Sequence, residues 1–589
     1  MKGTCDRYVE IDLAKKNFET GQISQERLRK FIGGKGVGLS LLVEQDTSQD
    51  PLDSGNPLIF VTGPFTGSLI QTSSRSAVIT RSPLTGGFLD SHAGGHFGPA
   101  LRRAGWDYVS IRGALDKPGY LFLSPEGAEF HDASELWGKD AFETEKTLRE
   151  RHGNCRVACI GQAGENRVRF AAIGTEYYRH FGRGGAGAVM GSKKLKAVVV
   201  QGLEKVSHHD DEKFKELALQ LTADLKEHPG AQKRNRLGTM MWIRMGQEEG
   251  RFLPTKNFQK GQFEQYENIS SETMREELQW KDKGCYGCTV IKCSKVSHWD
   301  GKEMEGPEYE TTAYLGSNCL LGNAKDVATA NWLCDKYGLD TISTGVSISF
   351  VLECAEKGLL SEEDNKRLQF GDAQAVHSLV EEIALRKGIG NVLAEGTRKA
   401  SEKIGGGSEY WAIQTAGMEL SGVNPLGSYS MGLGLATSDF ASHTRCWSAT
   451  DEMYGNLSLE KVPEYVKKAQ DEINVRDSYI ICDFLPYGND RLVPFLNSST
   501  GFDYTEDEVM LVGERIQSLS RLYTMKKGRK HEDDVLPARF YEEESFAGLM
   551  EGQRISREFF ETQVQEVFGL RGWDENGIPT KETLAKLGL

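Results

Sequence analysis

The chain changes its hydrophobic rhythm once. Up to about residue 207 the apolar positions come in short β-branched runs, Pro57-Leu-Ile-Phe-Val-Thr62, Tyr108-Val-Ser-Ile-Arg112, Arg156-Val-Ala-Cys-Ile160 and Leu195-Lys-Ala-Val-Val-Val200. Most have Gly or Pro close by, and runs of this length predict strands and turns. Gly98-Pro-Ala-Leu-Arg-Arg-Ala-Gly105 is a candidate helix among them. Beyond His208-His-Asp-Asp-Glu212 the spacing changes. Phe214, Leu217, Ala218, Leu221 and Leu225 form a helical stripe, which Pro229-Gly230 is expected to end. Amphipathic stretches follow at 324–337, 375–385, 460–472 and 505–522, and the residues from Asp574 to Leu589 predict a turn and a short helix. The pattern predicts an α+β protein: a sheet-rich base domain over 1–207, then mainly helical domains over 208–408 and 409–589, divided near Gly405-Gly-Gly-Ser408. No fixed-period repeat interrupts it.

Composition narrows the class. At roughly 150 residues per domain, 589 residues allow three or four domains. A net charge of −14 argues against general nucleic-acid binding. The opening Met1-Lys-Gly-Thr-Cys5 leads into no apolar run, so no signal peptide is expected, and no run approaches the ~18–20 apolar residues of a membrane span. The eleven cysteines follow no secreted framework. A cytoplasmic setting is expected, where thiolates bind metals rather than cross-link.

Cys285-Tyr-Gly-Cys288-Thr-Val-Ile-Lys-Cys293 concentrates the chemistry. With His298 it offers a C-x2-C-x4-C-x4-H zinc set; with a distant fourth thiol such as Cys482 it offers an iron–sulfur set. Spacing alone leaves both open. The remaining cysteines, at 5, 155, 159, 319, 334, 354 and 446, read as small buried groups. Glycines cluster at Gly33-Gly-Lys-Gly-Val-Gly38, Gly94-Gly95 and Gly182-Arg-Gly-Gly-Ala-Gly187. Each alone suits a turn; together they suggest a platform where backbone N–H groups approach an anion, with Arg75 and Arg183 as counter-charges. Asp335-Lys-Tyr-Gly-Leu-Asp340 and Asp477-Ser-Tyr-Ile-Ile-Cys482 share an outline. Such carboxylates either cap neighbouring backbone or accept paired bonds from an amide–amidine edge, as a pterin presents.

These motifs, with Gly63-Pro-Phe-Thr-Gly67, Ser82-Pro-Leu-Thr-Gly86, Asp90-Ser-His-Ala-Gly-Gly95, Gly306-Pro-Glu-Tyr-Glu-Thr311 and Gly316-Ser-Asn-Cys319, resemble in order the tungsten-containing aldehyde ferredoxin oxidoreductases. The resemblance spans nearly the whole chain. It implies a sheet-rich base under two helical domains, with tungsten, or molybdenum, held between them by two pterins whose phosphates are bridged by magnesium. By motif position Arg75, His92, Gly94, Arg183 and Gly184 belong on the phosphate side. Asp335, Leu339 and Asp340 belong to one pterin, Asp477 and Cys482 to the other. Cys285, Cys288, Cys293 and Cys482 would bind a [4Fe-4S] cluster, which makes His298 a bystander. Three departures stand out: an extra residue before Cys293, His92 in place of the family's usual Asn, and no Gly-Leu within 477–482.

The implied reaction oxidises an aldehyde to a carboxylic acid, with Glu310 and His443 as acid/base candidates. A carboxyl desolvated beside the cofactor would have a raised pKa and donate to the carbonyl oxygen. Electrons would leave through the cluster to ferredoxin or an iron–sulfur partner subunit. Two alternatives remain: the catalytic subunit of a tungsten-dependent aromatic acyl-CoA reductase, with Cys319 as a metal ligand, and a zinc-stabilised binding protein without catalysis. Substrate identity and oligomeric state are not encoded in any motif.

Overall fold

The structure, a computed structural model, describes residues 6–45 and 50–589. Cys5 lies outside the described residues.

Twelve strands build the base: β1 Arg7–Asp12, β2 Asn17–Gln22, β3 Leu58–Val61, β4 Ser76–Arg81, β5 Phe88–Ala93, β6 Tyr108–Arg112, β7 Gly119–Ser124, β8 Gly127–Asp132, β9 Arg156–Cys159, β10 Ile173–Thr175, β11 Arg179–Phe181 and β12 Leu195–Val200. They form two six-stranded sheets, in the orders β2-β1-β6-β3-β4-β5 and β11-β10-β9-β12-β7-β8. The pairs β1–β6 and β7–β12 are parallel and the others antiparallel. The apolar runs are continuous because both faces of their strands are covered. Leu58 and Phe60 of β3 enter one core with Val198 and Val200 of β12, so the sheets share that layer. Ile59 and Val61 face a second core with the helices, while Ala197 and Val199 face a third with Leu148 of helix Ala141–His152. This is period-two burial in both strands.

Helices near 211–237 and 462–526 lie against the outer face of the first sheet, while helices Ala324–Tyr337 and Ala373–Leu385 pack on the second-sheet side, where Asn166 donates to the Ala384 carbonyl at 2.9 Å. Helix Asp211–Glu227 packs Phe214 on Phe495 of helix Asn489–Thr500, with ring centroids 5.2 Å apart, so these segments do not stack in chain order. Pro229-Gly230 does not simply end the first helix, as the sequence suggests. It starts a second, Pro229–Leu237, because proline suits a first helical turn whose N–H groups have no partner. Helix Glu506–Lys526 begins with a Thr505/Glu508 capping box. Helix Thr341–Glu356 is buried from Ile342 to Ala355. No helix among the described residues is long and apolar enough to cross a membrane.

The first glycine cluster corrects the anion-platform reading. Gly34–Glu44 is a helix pressed between sheet and helices. A Cβ on Gly38 would stand 2.4 Å from Ile79 Cγ1, and one on Gly34 would stand 2.5 Å from the Asp477 carbonyl oxygen. The glycines let the helix approach the Asp477 backbone and the Ile79 side chain, not a ligand. Gly38→Val is therefore expected to destabilise the protein by about 1–3 kcal/mol through overpacking. Thermal unfolding of the purified holoenzyme measures it; wild-type melting would show that the helix can move off the sheet.

Candidate active site

Where β4 and β5 meet the helical segments, a polar cavity of about 200 Å³ opens. Arg75, His92, Arg183 and Asp477, all anticipated from sequence, line it together with Asp90, His180, Arg445 and Arg476, which were given no role. A buried ion network forms its floor. The Arg445 guanidinium donates to Asp90 Oδ1 at 2.5 Å and to Asp477 Oδ2, and its Nε faces Asp439 Oδ1 at 3.1 Å. Lys35, fully buried and drawn from the first glycine cluster, donates to Asp439 Oδ2 at 2.6 Å and lies 3.5 Å from Asp90 Oδ1. Burial alone would raise the Asp90 carboxyl; Arg445 and then Lys35 hold it well below the usual carboxylate range. His92 Nε2 lies 2.9 Å from Asp90 Oδ2 and 3.7 Å from Asp477 Oδ1. Among the described residues these three form a group whose ligand atoms all lie within 4.8 Å of one another.

The two aspartate motifs occupy matching helix ends. Helix Ala324–Tyr337 stops at Gly338, with φ 76° and ψ 56°; helix Val462–Tyr479 stops at Ile480, with φ 57° and ψ 57°. Asp335 and Asp477 each precede the left-handed residue by three, and Asp340 and Cys482 each follow it by two. The missing glycine of the second motif is thus replaced by an isoleucine that accepts the same strained conformation. The matching positions are used differently. Asp340 caps helix Thr341–Glu356, accepting from the Ile342 and Ser343 N–H groups at 3.1 and 3.2 Å. Asp335 accepts from Asn331 at 3.0 Å, and burial pushes its carboxyl well up. His180 Nε2, 3.7 Å from Asp335 Oδ1, is buried without a hydrogen bond.

Some anticipated residues offer this cavity no free donor. Leu339 is a core side chain whose N–H bonds the Cys334 carbonyl. Gly184 adopts φ +79°, and a Cβ there would strike Leu89 at 2.3 Å. Arg183 spends its donors on the Glu419 and Ala441 carbonyls and on Asp340. Arg476 instead has an Nη1 that is buried without a partner, a better candidate for an incoming anion.

The thiols gather beside the cavity. Thr72 joins their two segments: its N–H bonds the Gly287 carbonyl at 3.1 Å, and its carbonyl accepts from Cys482 N–H at 3.4 Å. A Cβ on Gly94 would lie 3.1 Å from Cys285 Sγ, which places Gly94 on the thiol side rather than in the cavity wall. Arg75 Nη2 reaches Cys482 Sγ at 3.4 Å and Asp483 at 2.8 Å. Burial, and then the Cys482 thiolate, push Cys288 up to about 12; burial, and then Glu308 ahead of the neighbouring thiolates, push Cys293 well up. Four neighbouring thiols, Cys288 buried and the other three half-buried, suit a cationic iron–sulfur core once ionised, with Arg75 and Arg179 offsetting the thiolate charge. Lys292, with φ +41° directly before Cys293, takes up the extra loop residue. His298 stands apart, paired with Glu303 at 3.0 Å. Cys319 is fully buried, its thiol donating to the Tyr314 carbonyl at 3.2 Å, and it lines neither cavity.

A second, apolar cavity of about 250 Å³ abuts the first and shares His443, Thr444, Ile473 and Asp483 with it. Tyr309, Trp242, Trp447 and Phe484 wall it, and Glu310 enters it from the short helix Tyr309–Thr311. His443 Nδ1 stands 3.0 Å from Glu310 Oε1 but out of line, so both Glu310 oxygens are buried with no hydrogen-bond donor. The Tyr314 hydroxyl is likewise buried and unpaired. Buried polar atoms without partners mark a place where a ligand completes the structure. The residues present therefore fit an anionic cofactor and a thiolate-held cluster.

Comparisons with known proteins agree with this geometry. The profile of the aldehyde ferredoxin oxidoreductase N-terminal domain matches residues 8–202, and that of domains 2 and 3 of the same family matches residues 216–589. The chain is 36% identical over 611 residues to a tungsten-containing aldehyde ferredoxin oxidoreductase of Pyrococcus horikoshii, covering 100% of this chain and 99% of the relative. It is 30% identical over 626 residues to the aliphatic sulfonate oxidoreductase, WOR-like subunit, of Pyrococcus furiosus, covering 99% and 96%. The active site complex BamBC of benzoyl coenzyme A reductase superposes with a TM-score of 0.86 at 24% identity, over 100% of this chain and 97% of that one, a likeness of fold alone.

Proposed function

This chain belongs to the aldehyde ferredoxin oxidoreductase family, whose tungsten-containing members imply a tungsten–pterin centre and an iron–sulfur cluster, and on that premise we propose that it oxidises aldehydes to carboxylic acids. The observation that carries the reading is Glu310, with two buried, donor-less oxygens where the apolar cavity joins the polar one. When bound, a tungsten or molybdenum bis-pterin would serve as Lewis acid and two-electron acceptor, and a [4Fe-4S] cluster as one-electron relay. Asp335 and Asp477 would hold the two pterins, Arg75, Arg476 and His92 their phosphates and magnesium, and Cys285, Cys288, Cys293 and Cys482 the cluster.

The protein's own part is positional and acid–base. The apolar walls admit the aldehyde and exclude bulk water. Glu310 holds a proton at its carboxyl toward the carbonyl oxygen. His443, 3.0 Å away, relays protons onward as aldehyde and water become acid, two protons and two electrons. The electrons pass singly to ferredoxin or an iron–sulfur partner. A cavity of about 250 Å³, below the ~300 Å³ where pockets for drug-sized ligands begin, supports a small aldehyde over a coenzyme A thioester.

The test is anaerobically purified protein, analysed for iron, acid-labile sulfide and tungsten or molybdenum, then offered a panel of aldehydes with a viologen dye. Metal-replete protein that reduces the dye with no aldehyde would overturn the reading. Zinc without iron would overturn the cofactor assignment as well.

A further inference from the structure

The apolar cavity holds a cation that oxidation of a simple aldehyde does not use. Arg234, in the last turn of helix Pro229–Leu237, lines it beside Trp242, Trp447 and Phe484. Its guanidinium carbon lies 4.4 Å over the Phe484 ring, and its Nε is buried without a hydrogen-bond partner. Among the described residues Arg234 has no ion-pair partner. None of the cavity's three carboxylates pairs with Arg234. Glu308 accepts from Thr239 Oγ1 at 2.7 Å, Asp483 pairs with Arg75 at 2.8 Å, and Glu310 faces His443. Trp242 and Trp447 lie with ring centroids 4.7 Å apart and their planes tilted by 60°, an angled apolar corner against which an aromatic body can rest.

A half-buried guanidinium stacked on an aromatic ring, with no counter-ion, is a partial carboxylate site. Its planar fork matches a carboxylate bidentately, and the contact gains strength where water is excluded. Resting on the aldehyde reading above, we propose that the preferred substrates are aldehydes whose aromatic or apolar body also bears a carboxylate, and that Arg234 pairs with that carboxylate. Arg234 is a specificity-determining residue: it holds the far group of the substrate and takes no part in proton or electron transfer. The overall charge of −14 repels such anions from most of the surface, so a cation inside the cavity separates them from other aldehydes only once they enter.

The experiment compares 4-formylbenzoate with benzaldehyde in wild-type, Arg234→Gln and Arg234→Lys holoenzyme, with viologen as acceptor. Arg234→Gln is expected to raise KM for 4-formylbenzoate about 10- to 100-fold, as loss of a charge-assisted pair does, with kcat nearly unchanged. Benzaldehyde kcat/KM should stay within about threefold, and Arg234→Lys should recover part of the loss. A second readout needs no turnover: terephthalate should quench tryptophan fluorescence of the wild type at lower concentration than benzoate, and Arg234→Gln should erase that difference. Equal losses with both aldehydes, or terephthalate binding no tighter than benzoate, would overturn the proposal. Arg234-dependent terephthalate binding in a protein that oxidises no aldehyde would support the carboxylate site and sink only the reaction on which it was placed.

Discussion

Glu310→Gln is expected to lower kcat for aldehyde oxidation by about 10²–10⁴-fold while leaving metal and sulfide content unchanged. The substitution keeps the shape and volume of the side chain and removes its capacity to exchange a proton. Glu310 sits on a helix of three residues and is fixed by its neighbours: the Tyr309 hydroxyl donates to the Gly422 carbonyl at 2.5 Å, and the Thr311 hydroxyl lies 2.8 Å from that of Thr341. Neither Glu310 oxygen has a hydrogen-bond donor, so no structural bond is lost when one oxygen becomes an amide. A purely structural role would therefore show as lower melting with activity roughly in proportion to folded protein. The catalytic role shows as full folding, full metal and a collapsed kcat. Activity within about threefold of wild type, at equal metal content, would remove Glu310 from the mechanism and leave His443 without its partner.

What the sequence revealed depended on how local the cause was. The strands at 58–61 and 195–200 were legible because two-sided burial makes a continuous apolar run. The thiol loop stood out because thiolates at short spacing have few other uses, and the paired helix ends because Asp335 to Asp340 and Asp477 to Cys482 share one six-residue outline. Gly33–Gly38 was misread because the same property, a missing side chain, serves a ligand and a packed helix equally. Lys35 was given no role within that cluster, because its partners Asp90 and Asp439 lie far away in the chain. Arg445, two residues after His443, carried no signal, since Asp90 lies 355 residues before it. Arg234 had only the look of a surface residue near a helix end. Buried ion pairs between distant segments leave no periodicity to read.

Arg445→Ala is expected to cost about 3–5 kcal/mol of stability at neutral pH, the usual penalty for removing one partner of a buried charge network. Arg445 touches Asp90 on the base sheet, Asp439 before its own turn and Asp477 at the end of helix Val462–Tyr479. Without it, Lys35 and His92 are left facing Asp90, Lys35 is left facing Asp439, and Asp477 keeps the more distant His92. The pH dependence has a definite sign. Asp90 is held below its unfolded value of ~3.9, so its contribution is fully present above that pH and is lost as pH falls through the folded value. The deficit of Arg445→Ala should accordingly be largest near neutrality and shrink on acidification, as the carboxylates left behind take up protons. Urea unfolding of the holoenzyme followed at pH 7 and at pH 4.5 measures both parts, with the first cooperative transition as readout because a cofactor-bearing chain of this size is not two-state. Arg445→Met, which fills the space without charge, should lose less stability than Arg445→Ala yet bind the pterin cofactor just as poorly, because the hold on Asp477 is gone in both. A protein that loses stability but retains full cofactor would show that the network holds the base sheet to the helices without orienting the site above it.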